Sequence, residues 1–368
     1  MLLSGRGTLI DMTPREIAHY RLVSQDIGYP RCKTASEVVA SLGAMQAQDY
    51  PGALWSIGLR LPKSTAPEIE QAISDRLVIR TWPMRGTLHF VAAADVRWML
   101  ELLTPRIVAG SAGRRRQLEI DDVAIERSKG AVIRALQGGK QLTRDALYAL
   151  LATVHISTAG QRGLHILWRL AQDGVICFGP REGKQPTFVL LDEWAPNAIN
   201  LDRSEALAKL ALRYFTGHGP ATLQDFVWWS GLKMSDAKAG VDIVASQLEP
   251  EKIDDKVYWM PQDMAAFDKV SPTAHLLPGF DEYMLGYKDR SAALDPVHAQ
   301  KMIPGDSGRF LPTILVDGHV VGTWKRTLKR NTIHITAAPF TSLNKVQQRA
   351  FASAAQRYGQ FIGMAVDL

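Results

Sequence analysis

The sequence predicts an α+β protein with three tandem winged helix-turn-helix units, a small C-terminal β-barrel and a terminal helix. The first observation is that the order helix, helix, helix, hairpin recurs at a spacing of about 80 residues, which is typical of a repeated supersecondary unit. The second is that β-branched alternation replaces helical periodicity after His275. The third is that 368 residues exceed what one core usually holds.

The first unit is predicted to span residues 1–112. Thr13 is a suitable N-cap for a helix over Pro14–Ser24, and a Pro- and Gly-containing turn divides two β-rich runs. After that first helix, the predicted elements are helices over 34–45, 52–61 and 68–74 and a hairpin over 77–91.

The second and third units are predicted to span residues 113–200 and 201–268. Their second helices open on "LTRDAL" and "TLQDFV", each with a Thr able to cap and an Asp in the first turn, where the helix dipole favours negative charge. Each unit then continues to a strand-rich segment. This correspondence supports the repeat.

Residues 269–368 are predicted to form the C-terminal domain, with a β-barrel or curled sheet over 270–340. Asp317-Gly318 lies between β-branched runs and predicts a hairpin, because both central residues of a type I′ turn need positive φ. A last helix over 343–363 is predicted, with Ser342 as its cap.

Charge and cysteine content narrow the class of protein. The net charge of +6 and the pI of 9.2 favour a nucleic-acid partner. Cys32 and Cys177 are far apart and form no ligand cluster, so no metal or cofactor is expected. The N-terminal apolar stretch is too short for a signal peptide, and no run of about 18 apolar residues occurs, so a cytoplasmic protein without a membrane segment is predicted.

Basic side chains occur where a winged helix would meet DNA. Such a unit lays its third helix in the major groove and its hairpin along the backbone, and lysine or arginine on phosphates provides salt-sensitive affinity. Winged helices also bind proteins, and His89 fits equally well as a packed strand residue. The predicted DNA contacts are Arg80, Arg85, His89, Arg114, Arg115, Arg162, Lys325, Arg326, Lys329 and Arg330, with Arg169, Arg181 and Lys184 as further candidates.

Four stretches in order resemble the AlkZ/YcaQ-like winged-helix DNA glycosylases. They are "LGAMQAQDYPGALWSIGLR", "MRGTLHFVAAAD", "LLPGFDEYMLGYKDR" and "ILVDGHVVGTWKR". The resemblance implies tandem winged helices and a β-barrel around a concave channel of DNA width. It also implies that Gln46-Ala47-Gln48 is the catalytic Gln-x-Gln motif of the branch that releases N7-alkylguanines and unhooks interstrand crosslinks; the Asp-ending branch is not matched.

Amide chemistry suits that branch. An N7-alkylated purine already carries a positive charge, so it leaves as a neutral base and needs no general acid. Two glutamines can hold one water with their acceptors and donors, although neither is a strong base. The predicted activity is therefore monofunctional hydrolysis of N7-alkylated purines in double-stranded DNA. The alternatives are a non-catalytic DNA-binding protein, either a regulator or a lesion sensor, and a protein-protein scaffold.

This chemistry places a condition on the backbone. Residues i and i+2 stand about 200° apart on a helix but point the same way in an extended segment. Gln46 and Gln48 should therefore lie between two helices, with Ala47 pointing away. In the third stretch Asp281, Tyr287 and Arg290 could line the channel, or an Asp-Arg pair could brace the β-domain. A monomer is expected.

Overall fold

The computed structural model describes residues 12–262, 273–303 and 310–368 of a mixed α/β protein. The predicted boundary at 268/269 and the N-terminal stretch considered for a signal peptide lie outside these residues. The other predicted domain boundaries stay predictions. In the described ranges, no helix is both long and apolar enough to cross a membrane.

Helices make up more of the described chain than strands do. They are α1 (Pro14–Ser24), α2 (Ala35–Leu42), α3 (Tyr50–Arg60), α4 (Ala66–Ser74), α5 (Val96–Gly110), α6 (Ala112–Gln117), α7 (Asp122–Leu136), α8 (Arg144–Thr153), α9 (Arg162–Gln172), α10 (Leu191–Trp194), α11 (Arg203–His218), α12 (Leu223–Ser230), α13 (Met234–Val244), α14 (Glu282–Leu285), α15 (Ala299–Met302) and α16 (Lys345–Ile362).

The strands are distributed over three sheets. They are β1 (Met45–Gln46), β2 (Val78–Met84), β3 (Thr87–Ala92), β4 (Leu142–Thr143), β5 (Ile176–Phe178), β6 (Thr187–Leu190), β7 (Ala221–Thr222), β8 (Leu248–Ile253), β9 (Lys256–Pro261), β10 (Ala274–Leu277), β11 (Thr313–Val316), β12 (His319–Leu328), β13 (Thr332–Pro339) and β14 (Ala365–Asp367).

One order of elements recurs three times: helix, short strand, helix, helix, hairpin. The three passes begin at α2, α7 and α11, and in each the short strand pairs with the second strand of the hairpin. The Thr caps expected for the second and third passes are present, because Thr143 and Thr222 accept backbone N–H groups of α8 and α12.

The first two passes share one sheet. Its order is β1-β3-β2-β5-β6-β4, and the two hairpins meet where Arg80 on β2 pairs with Phe178 on β5. The third pass has its own sheet, β7-β9-β8. The hairpins of the first two passes are therefore joined edge to edge.

The C-terminal sheet is open, so of the predicted β-barrel or curled sheet it is the curled, half-barrel form that is present. Its order is β10-β11-β12-β13-β14, so β10 and β14 are the edges among the described strands, and α16 packs against both. The predicted Asp317-Gly318 hairpin is confirmed, with φ of 49° and 83°. The predicted cap Ser342 is wrong: Asn344 caps α16, since its side chain accepts the N–H groups of Val346 and Gln347.

The first pass and the C-terminal sheet share a hydrophobic core. Trp55 of α3 donates its Nε1–H to the Leu276 carbonyl on β10 at 2.6 Å, and its ring lies 5.0 Å from that of Tyr358 on α16. A second core joins the β2–β3 hairpin to α5 and to the helices of the third pass. The first pass is therefore held from two sides.

Candidate active site

Gln46, Ala47 and Gln48 lie between two helices in extended backbone. β1 pairs with β3, so that Gln46 faces His89 across the strands. Ala47 is 0% exposed, whereas Gln46 is half-buried and Gln48 is exposed. Gln46 Nε2 donates to Gln48 Oε1 at 3.3 Å. The two amides therefore share one side of the segment, as the sequence predicts, and Ala47 points into the core.

The sequence ends α2 early enough to leave this segment free. Gly43 follows the helix with φ of 77°, which is readily adopted by glycine, and a Cβ there would lie 3.3 Å from the ring of Trp229. Tyr50 then begins α3, with Pro51 in its first turn. The sequence predicts that the second helix reaches residue 45, whereas it stops three residues earlier at Leu42.

Arg80 holds the middle of the segment. Its Nε and Nη2 donate to the Ala47 carbonyl at 3.1 and 2.8 Å, and its guanidinium lies over the rings of Tyr50 and Phe178. Burial lowers the pKa of Arg80 to about 10, which leaves it charged at neutral pH. The sequence predicts that Arg80 contacts DNA, but its donors are directed at the protein backbone.

Glu282, which the sequence did not single out, lies behind Gln46. This carboxylate is 1% exposed and accepts the backbone N–H of Gln46 at 3.1 Å. Its other oxygen accepts from Trp229 Nε1 at 2.9 Å and from His218 Nε2 at 3.4 Å. The only sequence signal was its place in the third family-like stretch, beside Asp281.

His89 cannot contact DNA in this conformation, because it is 0% exposed. Burial lowers its pKa to about 4, so the ring is neutral at physiological pH. Its Nδ1 lies 2.9 Å from the Thr87 carbonyl, which can only accept, so Nδ1 carries the hydrogen. The alternative of a packed strand residue is therefore the one that fits.

A cavity of about 540 Å³ opens beside Gln48. It is lined by Gln48, Asp49, Phe280 and Phe310, with Leu311 and Pro312 completing its apolar side. Burial lowers the pKa of Arg326 on β12, and the charge of nearby Asp49 opposes that shift. The amide pair thus adjoins a cavity with aromatic walls and a basic strand.

The model of a protein family described as "DNA glycosylase AlkZ-like" matches residues 39–361. The chain belongs to this AlkZ-like DNA glycosylase family. The match includes both glutamines and most of the described chain. The protein is accordingly a DNA glycosylase and acts on DNA.

Two comparisons place this AlkZ-like glycosylase beside known proteins. It is 25% identical over 373 residues to the interstrand DNA cross-link repair glycosylase of Streptomyces sahachiroi, covering 95% of this chain and 97% of that protein. The solved structure of S. sahachiroi DNA glycosylase AlkZ matches with a TM-score of 0.79 and 24% identity, covering 96% of this chain and 98% of that one. The second comparison establishes the fold.

Several predicted DNA contacts of the glycosylase already have protein partners. Arg162 donates to the carbonyls of Ser157, Leu118 and Glu119, so it ties α9 to the segment after α6 and is not available as a phosphate contact. Arg115 pairs with Asp122 at 2.9 Å.

Four further predicted contacts are exposed. Arg114, bonded to Gln161 at 2.6 Å, and Lys329, paired with Asp367 at 3.3 Å, are exposed and can exchange these partners. Lys325 and Arg330 are exposed on the β12–β13 hairpin.

Arg85 lies at the turn of the β2–β3 hairpin with φ of 53°. Its Nη1 is 3.4 Å from the Trp228 carbonyl on α12, and burial lowers its pKa. The next residue, Gly86, accepts from Trp168 Nε1 on α9 at 3.3 Å. The hairpin tip is therefore where all three passes meet.

The predicted channel residues Asp281 and Tyr287 are structural. Asp281 is 1% exposed and forms a two-pronged ion pair with Arg60, both N–O distances being 2.9 Å. Burial raises the pKa of Asp281, but Arg60 outweighs it and holds that pKa below its usual value. Tyr287 is 1% exposed and donates to the His218 carbonyl. Neither side chain has an open surface in this structure, which fits the bracing alternative better than a channel lining.

Arg290, the third predicted channel residue, is less buried than the other two. It is half-buried, donates from Nε to the Met284 carbonyl at 2.6 Å, and lies 4.8 Å from the centre of the Phe310 ring. In the alternative of an Asp-Arg pair, the arginine that pairs with Asp281 is Arg60 and not Arg290. Among the described side chains, no three of His, Cys, Asp and Glu are grouped as metal ligands.

Proposed function

We propose that this chain hydrolyses the N-glycosidic bond of N7-alkylated purines in double-stranded DNA, with a water held by Gln46 and Gln48. The observation that carries the proposal is the shared direction of the two amides in an extended segment, with Ala47 buried beneath them. The products would be the free base and an abasic site.

The available groups match the needs of this reaction. Gln46 Oε1 makes no hydrogen bond within the described chain, so this amide acceptor is not committed to a protein group. The neighbouring His89 is neutral and cannot donate a proton from a charged ring at physiological pH. Cationic bases need no acid to leave, whereas neutral damaged bases do. The expected substrate range is therefore confined to cationic lesions.

The repeats suggest how DNA would be held. We infer that the three passes act as winged helix-turn-helix units, since each has the strand pairing typical of that motif, and that a monomer binds duplex DNA. Arg114, Lys325, Arg326, Lys329 and Arg330 are the proposed phosphate contacts. The name of the S. sahachiroi relative supports crosslinked DNA as a further substrate.

The test is release of free base from a duplex oligonucleotide containing one N7-methylguanine. Gln46→Ala and Gln48→Ala should each lower the single-turnover rate constant by about 100-fold, the loss typical for a preorganised group at a reacting centre. Gln71→Ala is the matched control, because Gln71 is an exposed glutamine on α4 whose side chain bonds Asp75; this variant should react at the wild-type rate.

Other outcomes would identify the competing functions. Tight, lesion-dependent binding without base release would make the protein a lesion sensor. No DNA binding at low salt would favour the protein-protein scaffold. Wild-type rates in both glutamine variants would refute the water-positioning role while leaving the glycosylase assignment in place.

A further inference from the structure

Glu282 is a buried carboxylate in direct contact with the glutamine segment, the extended residues Gln46, Ala47 and Gln48. It is the first residue of α14, which follows the Asp281 cap, and only 1% of its surface is exposed. Burying a carboxylate is costly unless it is hydrogen-bonded and its charge is compensated. Its position therefore requires a physical explanation.

The hydrogen bonds of Glu282 join three parts of the fold. One oxygen accepts the Gln46 N–H at 3.1 Å, and the other accepts Trp229 Nε1 at 2.9 Å and His218 Nε2 at 3.4 Å. The carboxylate thus fixes Gln46 relative to α11 and α12. Because Gln46 is also paired with His89 on β3, its backbone is held from two directions.

The surroundings keep Glu282 ionised. Burial raises the pKa of Glu282, but the hydrogen bond and the charge of His218, followed by the smaller effects of His89 and Arg85, outweigh it and hold that pKa below its usual value. A negative charge with little exposure to water is weakly screened, so it acts over a longer distance than a surface charge.

We propose that Glu282 is a positioning residue for base excision, fixing the backbone of Gln46 and supplying a buried negative charge behind the amide pair. This inference rests on the proposed function, because it takes Gln46 and Gln48 as the site of attack. As the glycosidic bond breaks, the sugar gains positive charge, and neither amide carries a compensating charge. A fixed anion one residue behind the amides stabilises that cation without touching the substrate.

The test compares Glu282→Gln with Glu282→Asp. Glu282→Gln removes the charge but keeps nearly the same side-chain shape. Glu282→Asp keeps the charge on a side chain that is one methylene shorter. The measurements are the single-turnover release of N7-methylguanine, the Kd for duplex DNA with an uncleavable abasic-site analogue, and thermal unfolding. Glu282→Gln should slow the release of N7-methylguanine by about tenfold, which is about ten times less than the loss expected when a group in direct contact with the substrate is removed. The Kd for DNA should stay within twofold of the wild-type value. Glu282→Asp should recover at least half of the lost factor.

Asp225→Asn is the matched control. Asp225 is also a 1% exposed carboxylate that accepts backbone N–H groups, from Lys288 and Asp289, but it makes no bond to the glutamine segment. The Asp225→Asn variant should be less stable than the wild type but should release N7-methylguanine at the wild-type rate. Release by Glu282→Gln within twofold of wild type would overturn the inference, as would equal losses in both Glu282 variants. A wild type that releases no base would refute the proposed function and this inference together.

Discussion

Gln46 and Gln48 depend on contacts made by their backbone and by the residue between them. Glu282 accepts the Gln46 N–H, and Arg80 donates to the Ala47 carbonyl from the other side. Amide side chains have no charge of their own to fix their direction, so their placement relies on backbone that is held rigidly. Residues such as Arg80 therefore influence the chemistry without reaching the substrate.

Arg80→Lys separates support of this segment from phosphate binding. Lysine keeps the positive charge but has one donor centre in place of a planar fork, so it cannot reproduce both bonds to the Ala47 carbonyl. We expect the rate of base release to fall by about tenfold, while the salt dependence of DNA binding stays at the wild-type slope. Rates and Kd values measured between 50 and 200 mM salt, about the range where such slopes are resolved, check this. A reduced slope with an unchanged rate would instead make Arg80 a phosphate contact.

At the level of single residues, the sequence predicted the amide pair but not its supports. Holding one water required Gln46 and Gln48 to share a direction, and therefore to lie in an extended segment between helices, and they do. His89, Asp281 and Tyr287 are buried by elements far away in the chain, and burial of that kind has no local signal. Glu282 was missed for the same reason, since its partners Gln46 and His218 are 236 and 64 residues away.

Secondary structure elements were predicted best where caps and turns have distinct residues. Thr13 and the Asp317-Gly318 turn are both confirmed. α5 was not predicted, because Pro105 interrupts its pattern although the helix continues through it. The choice between a β-barrel and a curled sheet could not be made from the sequence, because β14, a three-residue strand after α16, adds to the sheet as an open edge. Short strands that form only by pairing with distant segments carry little periodicity.

The start of α16 gives a test at this scale. Asn344→Ala removes a side chain that accepts two N–H groups of the first turn, and this should lower the free energy of unfolding by about 1 kcal/mol. Ser342→Ala is the control, since Ser342 is exposed and lies before the cap. Urea denaturation of both variants measures the difference. The reverse ranking, with Ser342 the more costly loss, would place the helix start two residues earlier.

Across the whole molecule, the first pass is the centre to which the other parts attach. It shares a core with the C-terminal sheet, a sheet with the second pass, and a core with the third. The glutamine segment lies within this pass, and Glu282 of the C-terminal region accepts a hydrogen bond from it, while Arg326 lies close enough to the adjoining Asp49 to be influenced by its charge. Such an arrangement explains why the site cannot be assigned to one repeat alone. Its geometry depends on the docking of several.

The basic hairpin β12–β13 should supply DNA affinity rather than chemistry. Lys325 and Arg330 are exposed on it, so each can neutralise a phosphate, and their joint replacement by alanine should reduce the slope of log Kd against log salt by about two. The rate constant at saturating enzyme should stay near wild type. Arg162→Ala is the contrasting variant: its guanidinium is bonded to backbone carbonyls, so stability should fall and the slope should not. An unchanged slope in the Lys325 and Arg330 double variant would contradict phosphate contacts on the C-terminal hairpin. A reduced slope in Arg162→Ala would instead indicate that the duplex binds at the face of α9.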